Sequence, residues 1–207
     1  MTVHLVTDDR IAETSSKGNQ EKWFDGETNR WYKLDQFGYE ALAETVTSAL
    51  LNYSNIESDT PFPFVRYRME RLRVHGTERI GCSSADFLAD TYVGWSIVTV
   101  HKILTQYTGG KVRDILAKMP SDRKRLLYLA DAVTEYTGLA QFPQYLSLLF
   151  AVDTLILNEE RHLNNIAVLE CGGKYNYCPI FDNGAGLLAD TTMDYPLSGD
   201  VYALPHR

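Results

Sequence analysis

The chain is poor in cysteine: its 207 residues hold only Cys82, Cys171 and Cys178. An odd number with no Cys-x-x-Cys pair argues against a disulfide framework and offers no zinc-site spacing. Basic charge is also short, since 20 Lys and Arg face 27 Asp and Glu, for a net charge of −7. That balance argues against a broad cationic footprint, so no direct nucleic-acid contact is expected. No stretch approaches ~18 uninterrupted apolar residues, and Met1 to Arg10 contains no apolar signal-peptide core. No membrane span is expected, and a cytoplasmic location follows as the expectation. Internal repeats and low-complexity linkers are lacking too, which argues against a repeat array or a flexible tether.

What is present is ordinary globular material. Hydrophobic residues make up 44% and charged residues 23%, which excludes global disorder. The length suits one large domain or two tightly joined lobes, at ~150 residues per typical domain. Trp23-Phe24 and Arg30 to Leu34 flank Asp25-Gly26-Glu27-Thr28-Asn29 and predict a hairpin. Helical spacing of Ala41, Leu42, Val46, Ala49 and Leu50 predicts a helix from Tyr39 to Tyr53. Pro61 and Pro63 then break the chain before a strand over Phe64 to Met69, and Leu5 to Thr7 is a further short strand. Helices are predicted over Ser96 to Tyr107, from a Ser121 cap to about Tyr136, and over the very apolar stretch Pro143 to Leu157. Ile166 to Leu169 and Tyr177 to Phe181 predict two strands joined by a turn at Gly172-Gly173-Lys174. The pattern is α+β: a small β-rich lobe, then a larger helical lobe carrying a β-hairpin.

Chemistry concentrates in three places. Asn158-Glu159-Glu160-Arg161-His162-Leu163-Asn164-Asn165 lies between the apolar helix and the next strand. Alone, it reads as a solvated loop with capping residues. Asp182-Asn183-Gly184 alone reads as a β-turn. Yet Asp182 falls 17 residues after Asn165, at the other end of the same hairpin. A carboxylate and an amide so placed can converge on one divalent cation, and Mg²⁺ takes hard oxygen ligands, few carboxylates and phosphate oxygens. Upstream, Ser15 to Lys22 is a small-polar turn whose backbone N–H groups suit anions, although it holds one glycine only. Lys33 sits inside an apolar strand and wants an anionic partner, either a phosphate or a helix carboxylate; snorkelling out of the strand is the plainer alternative. Glu40 and Glu44 follow at i and i+4 on one helix face. Phosphoryl transfer uses this ordered inventory, because its catalysis is positioning and charge neutralisation.

In these motifs the chain resembles the HipA-like serine/threonine kinases of bacterial toxin–antitoxin systems. Gly18-Asn19-Gln20-Glu21-Lys22 is similar to that family's Gly-Ala-Gln-Glu-Lys loop. Asn158 to Asn165 resembles its Asn-x-Asp-x-His-x-x-Asn catalytic loop, and Asp182 its metal-binding aspartate. Gly81-Cys82-Ser83-Ser84, with Asp86-Phe87-Leu88, resembles a signature of short members from Gram-positive bacteria. The match runs from about Thr14 to Leu188.

The resemblance implies a bilobal protein-kinase-like fold, with residues 1–70 as the N-lobe and 71–207 as the C-lobe, binding ATP and Mg²⁺ between them. It implies that Gly18, Asn19, Gln20 and Lys22 cradle phosphate, and that Lys33 holds the α- and β-phosphates. Either Glu44 or Glu40 would orient Lys33. A hinge near Val65 to Met69, including Tyr67, would meet adenine through its backbone. Asn165 and Asp182 would bind Mg²⁺, and His162 would organise the loop. Family members can carry a phosphoserine ahead of the phosphate loop, where this chain has Ser15 and Ser16; a dianion there would repel ATP.

Two departures stand out. The family's general base is aspartate, and this chain has Glu160, one methylene longer. A ~1 Å misplacement of a catalytic group can cost on the order of 10²-fold. Only 25 residues follow Asp182, where the family continues with more helices. A trimmed helical end, or one completed by another chain, is therefore expected. Three functions follow from the resemblance: a toxin-type protein kinase with a protein substrate and an antitoxin or regulatory partner, a nucleotide-binding pseudokinase, and a small-molecule or lipid kinase.

Overall fold

A computed structural model describes residues 21–192 and residue 194. The expected strand at Leu5 to Thr7 lies outside them. The chain begins with a hairpin, β1 (Lys22–Asp25) and β2 (Arg30–Leu34), as the turn residues predicted. Asp25 closes the turn by accepting from the Glu27 N–H (2.9 Å) and the Thr28 hydroxyl (2.6 Å). Helix α1 (Glu40–Asn52) and the short α2 (Ile56–Asp59) follow. The chain then returns to the sheet as β3 (Tyr67–Val74) and β4 (Thr77–Ala85), giving the antiparallel order β1-β2-β4-β3.

The β3–β4 hairpin corrects the expected lobe boundary at residue 70. The sheet continues to Ala85, so the covalent crossing into the helical part comes after β4, at Asp86. The hairpin was obscured because charged residues crowd it (Arg68, Glu70, Arg71, Arg73, Glu78, Arg79). Its signal was His75-Gly76: both have positive φ (48° and 81°), as a tight two-residue hairpin turn requires. The strand expected over Phe64 to Met69 starts only at Tyr67, and Phe64 instead forms a parallel bridge to Ile180.

After β4 come α3 (Phe87–Asp90), capped by Asp86, and then β5 (Ser96–Thr99) and α4 (Val100–Thr108). The helix expected from Ser96 thus begins four residues later. Ser96-Ile97-Val98-Thr99 is mostly β-branched and pairs with the later hairpin, while the Thr99 hydroxyl accepts from Lys102 N–H and starts the helix. Helices α5 (Val112–Ala117), α6 (Asp122–Thr137) and α7 (Phe142–Ile156) complete the helical part. As the sequence predicted, Ser121 caps α6; Gly138 ends it in the left-handed conformation. Strands β6 (Ala167–Cys171) and β7 (Lys174–Tyr177) turn at Gly172-Gly173 and join β5 in the order β5-β6-β7.

The main core holds Ile103 and Leu104 of α4, Val133 of α6, and Phe142, Tyr145, Leu149 and Ile156 of α7. Leu51, Ile56, Phe62 and Phe64, which precede β3, plug into the same core. A smaller core, Trp23, Tyr32, Leu34, Leu72 and Val74, lies on one face of the four-stranded sheet. Strand register puts Lys22, Trp31, Lys33, Tyr67, Cys82 and Ser84 on the opposite face. Among the described residues, no helix is long and apolar enough to cross a membrane.

Candidate active site

Lys33 is buried on that second face, and its ammonium makes two ion pairs. One is to Glu44 of α1, a fully buried carboxylate, and the other is to Asp182 Oδ1 at 2.9 Å. The Tyr67 ring lies 5.1 Å beneath the same nitrogen. Between the two glutamates left open by sequence, Glu44 is the partner of Lys33. Glu40 is corrected: its carboxylate accepts the backbone N–H of Phe37 (2.6 Å), Gly38 (3.0 Å) and Gln36 (3.3 Å) and so shapes the turn before α1. Asp35 Oδ1 takes the Ala41 N–H at 2.6 Å, because Tyr39 at the N-cap has no capping side chain.

Glu44 does two jobs. Its second oxygen accepts the Asn183 N–H at 2.9 Å, so one buried carboxylate ties α1 to the residue after Asp182. Asp182 itself is left-handed (φ 62°), a region that aspartate tolerates better than most residues. Burial alone would push the Asp182 carboxyl up, but Lys33 and then Lys22 hold it well below the usual carboxylate range. Burial would push the Lys33 ammonium down, but Asp182 and then Glu44 hold it well above the usual lysine value. Lys22, opposite Lys33 in register, is lowered by burial and then by the charge of Lys33. Two cations thus share a face with two anions, and the second cation is incompletely compensated. Burial also raises the Tyr67 hydroxyl and the Cys82 thiol, which keeps both neutral.

The polar loop 158–165 leaves α7 through Leu157, another left-handed residue (φ 56°). Asn158 Nδ2 donates back to Asp153 Oδ1 (2.8 Å), and Asn158 Oδ1 accepts the Glu160 N–H (3.3 Å). Asn165 Nδ2 donates to the Glu160 carbonyl (3.3 Å), which leaves its amide oxygen as the accepting end. Glu160 is exposed. The Arg161 side chain is buried and bonds the Asn165 carbonyl (3.2 Å) and the Phe181 carbonyl (2.8 Å), so both ends of the β6–β7 hairpin are held together. Asp153, Arg161 and Asn183 were missed in the sequence. A lone aspartate within the most apolar helix was the available signal, since a buried carboxylate needs a partner.

Ser15, Ser16, Gly18, Asn19 and Gln20 lie outside the described residues. Lys22 opens β1 on the Lys33 face. The segment expected as the hinge, Val65 to Met69, runs into the start of β3. Val65 is buried before β3, its N–H bonding the Ile180 carbonyl (2.9 Å), and Tyr67 opens β3, whereas the strand that leaves the sheet is β4. The donor chemistry fits a hard cation: one carboxylate (Asp182) and one amide oxygen (Asn165). Among the described residues no cluster of three or more His, Cys, Asp or Glu groups could hold a metal alone. Mg²⁺ commonly takes only one or two protein ligands and fills its remaining positions with water and phosphate oxygens.

The chain is similar to a solved structure, the crystal structure of a Helicobacter pylori proinflammatory kinase, CtkA. The TM-score is 0.61 and the identity 18%, covering 93% of this chain and 59% of that one. The fold is kinase-like. The chain therefore spans about three-fifths of the length of that kinase. No protein-family model matches the chain, and no curated protein matches it. In kinase-like terms, the four-stranded sheet with α1 is the small lobe, and α4 to α7 with β5–β7 form the helical lobe carrying the hairpin.

Proposed function

We propose that the chain is an ATP- and Mg²⁺-dependent phosphotransferase, a serine/threonine protein kinase of HipA-like type. The observation that carries this is Lys33 held between Glu44 and Asp182 on a kinase-like fold. There the small-lobe helix, through Glu44, aims the lysine that would hold phosphates at the carboxylate that would hold the cation. Lys33 binds the α- and β-phosphates, and Lys22 adds positive charge beside it. Asn165 and Asp182 would hold Mg²⁺, which would neutralise charge on the phosphates. The acceptor hydroxyl gives up its proton to Glu160, its oxygen bonds to the γ-phosphorus, and ADP leaves with the electrons of the broken P–O bond. A role as a toxin component with an antitoxin or regulatory partner, and a phosphosite at Ser15 or Ser16, belong to the same proposal.

The experiment is transfer of radiolabel from γ-labelled ATP with Mg²⁺, alongside mass spectrometry of the purified chain. Label or phosphate on Ser15, Ser16 or an added protein is expected, and Asp182→Ala should abolish it. Glu160 favours one second reading, a nucleotide-binding pseudokinase. ATP-dependent thermal stabilisation without turnover, unrestored by Glu160→Asp, would select it. Turnover confined to a small molecule or lipid would select the remaining kinase class.

A further inference from the structure

Arg161 makes more hydrogen bonds than any role in a solvated loop requires. Its side chain is only 3% exposed, beside an Asp153 side chain 8% exposed. A guanidinium carries five N–H donors in a rigid plane, and all five find acceptors here. Nε bonds Asp153 (3.0 Å to Oδ2, 3.2 Å to Oδ1), and Nη2 bonds Asp153 Oδ1 and Asn183 Oδ1, both at 2.9 Å. Nη1 bonds the carbonyls of Phe181 (2.8 Å) and Asn165 (3.2 Å). Phe181 and Asn183 are the residues on either side of Asp182. The guanidinium therefore brackets one proposed cation ligand and fixes the backbone of the other, and it is itself anchored bidentately on α7.

We infer that Arg161 is the positioning residue of the cation site, setting the separation of Asp182 and Asn165 from the floor of the helical lobe. The inference rests on the phosphotransferase reading above. The alternative, a purely structural ion pair, needs only Asp153. The three contacts to Asn165, Phe181 and Asn183 add nothing to pairing charge, but they fix the geometry of two ligands. Lysine could not replace them, because its three donors on a point charge cannot reach acceptors spread around a plane. Asn183 contributes one oxygen to the arrangement; its Nδ2 is buried with no hydrogen-bond partner. Truncating Asn183 leaves one Nη2 hydrogen of Arg161 without that acceptor, but it also removes a buried unpaired donor, so the two effects offset in part and circular dichroism can verify that the variant folds.

The test is cation binding by the full chain, read by electron paramagnetic resonance of Mn²⁺ and by calorimetric titration of ATP with and without Mg²⁺. Arg161→Lys and Asn183→Ala should each weaken cation binding about ten-fold or more, the usual effect of losing a group that orients a metal ligand. Metal-free ATP affinity should stay close to wild type. Circular dichroism establishes folding, and if Arg161→Lys does not fold, Asn183→Ala decides alone. A folded variant with wild-type cation affinity overturns the inference. Wild-type protein that binds neither ATP nor Mn²⁺ overturns the phosphotransferase reading beneath it, and the two failures are distinguished by which protein fails.

Discussion

Lys33 and Asp182 titrate in opposite directions, and the sign of each sets how stability responds to pH. The Asp182 carboxyl is lowered in the fold. Its contribution is present above the ordinary carboxylate value of ~3.9 and is lost as pH falls through the lowered one. The Lys33 ammonium is raised. Its contribution is complete below the ordinary lysine value of ~10.4 and is lost as pH rises through the raised one. Urea midpoints should therefore show no slope from this pair between about pH 4 and about pH 10, with losses on both flanks. A Lys33→Met, Asp182→Asn double variant should lose both flanking terms. Lys22 behaves oppositely, since it is lowered. A bound polyphosphate relieves its repulsion from Lys33, so ATP binding at alkaline pH should take up protons. Titration calorimetry in buffers of different ionisation enthalpy measures that uptake, and a heat independent of buffer would count against phosphate at Lys22. Glu160 is the remaining residue-scale variable. If the extra methylene is what slows transfer, Glu160→Asp should raise turnover by up to about 10²-fold while leaving ATP affinity unchanged.

At the scale of elements, the small lobe depends on close contact between β2 and β4. Gly81 lies opposite Leu34, and a Cβ built on it would sit 2.3 Å from the Lys33 carbonyl oxygen. Gly81→Ala should cost about 1–3 kcal/mol by overpacking and shift the strand that carries Lys33. Chemical denaturation gives the first quantity and ATP affinity reports the second. Most other elements were legible from the sequence. The β1–β2 and β6–β7 hairpins show their turn residues, α6 shows both caps, and α7 shows its apolar bulk. The elements misread were those where local pattern and tertiary pairing disagree. Ser96 to Thr99 joins a helical segment in sequence, but is drawn into the sheet by β6. In β3 and β4, closely spaced arginines and glutamates conceal two strands whose buried residues include Leu72 and Val74 in β3 and Cys82, Ser83 and Ser84 in β4. Likewise Lys33, Asp182 and Asn165 stood out as candidates, while Arg161 did not. The five acceptors of its guanidinium come from four separate residues that only folding brings together.

At the scale of the whole molecule, the segment between α1 and β3 packs into the core of the helical lobe, while the sheet keeps its own smaller core. Phe62 packs its ring edge-on against Tyr145 (5.4 Å between centroids) and Tyr177 (4.9 Å), and Ile180 N–H bonds the Pro63 carbonyl at 2.8 Å. Residues that follow α1 are thus part of the helical lobe's interior. Phe62→Ala should cost about 3–5 kcal/mol. It should lower the unfolding midpoint equally by tryptophan fluorescence, which includes Trp23 and Trp31 of the sheet, and by far-ultraviolet circular dichroism, which is dominated by helices. Two separated transitions would show lobes that unfold independently.

Helix α1 is sewn to the segment after Asp182 at more than one point. The Tyr39 N–H bonds the Ala189 carbonyl (2.9 Å), the Thr191 N–H bonds the Phe37 carbonyl (3.0 Å), and Gly38 bridges Asp190 so tightly that a Cβ would lie 2.0 Å from the Ala189 oxygen. With Glu44 also holding Asn183, the helix cannot swing outward while residues 182–191 stay in place. Any state with α1 swung outward must displace both at once. On the phosphotransferase reading proposed above, a compound selecting a swung-out helix would have to unfasten the segment that follows Asp182 as well.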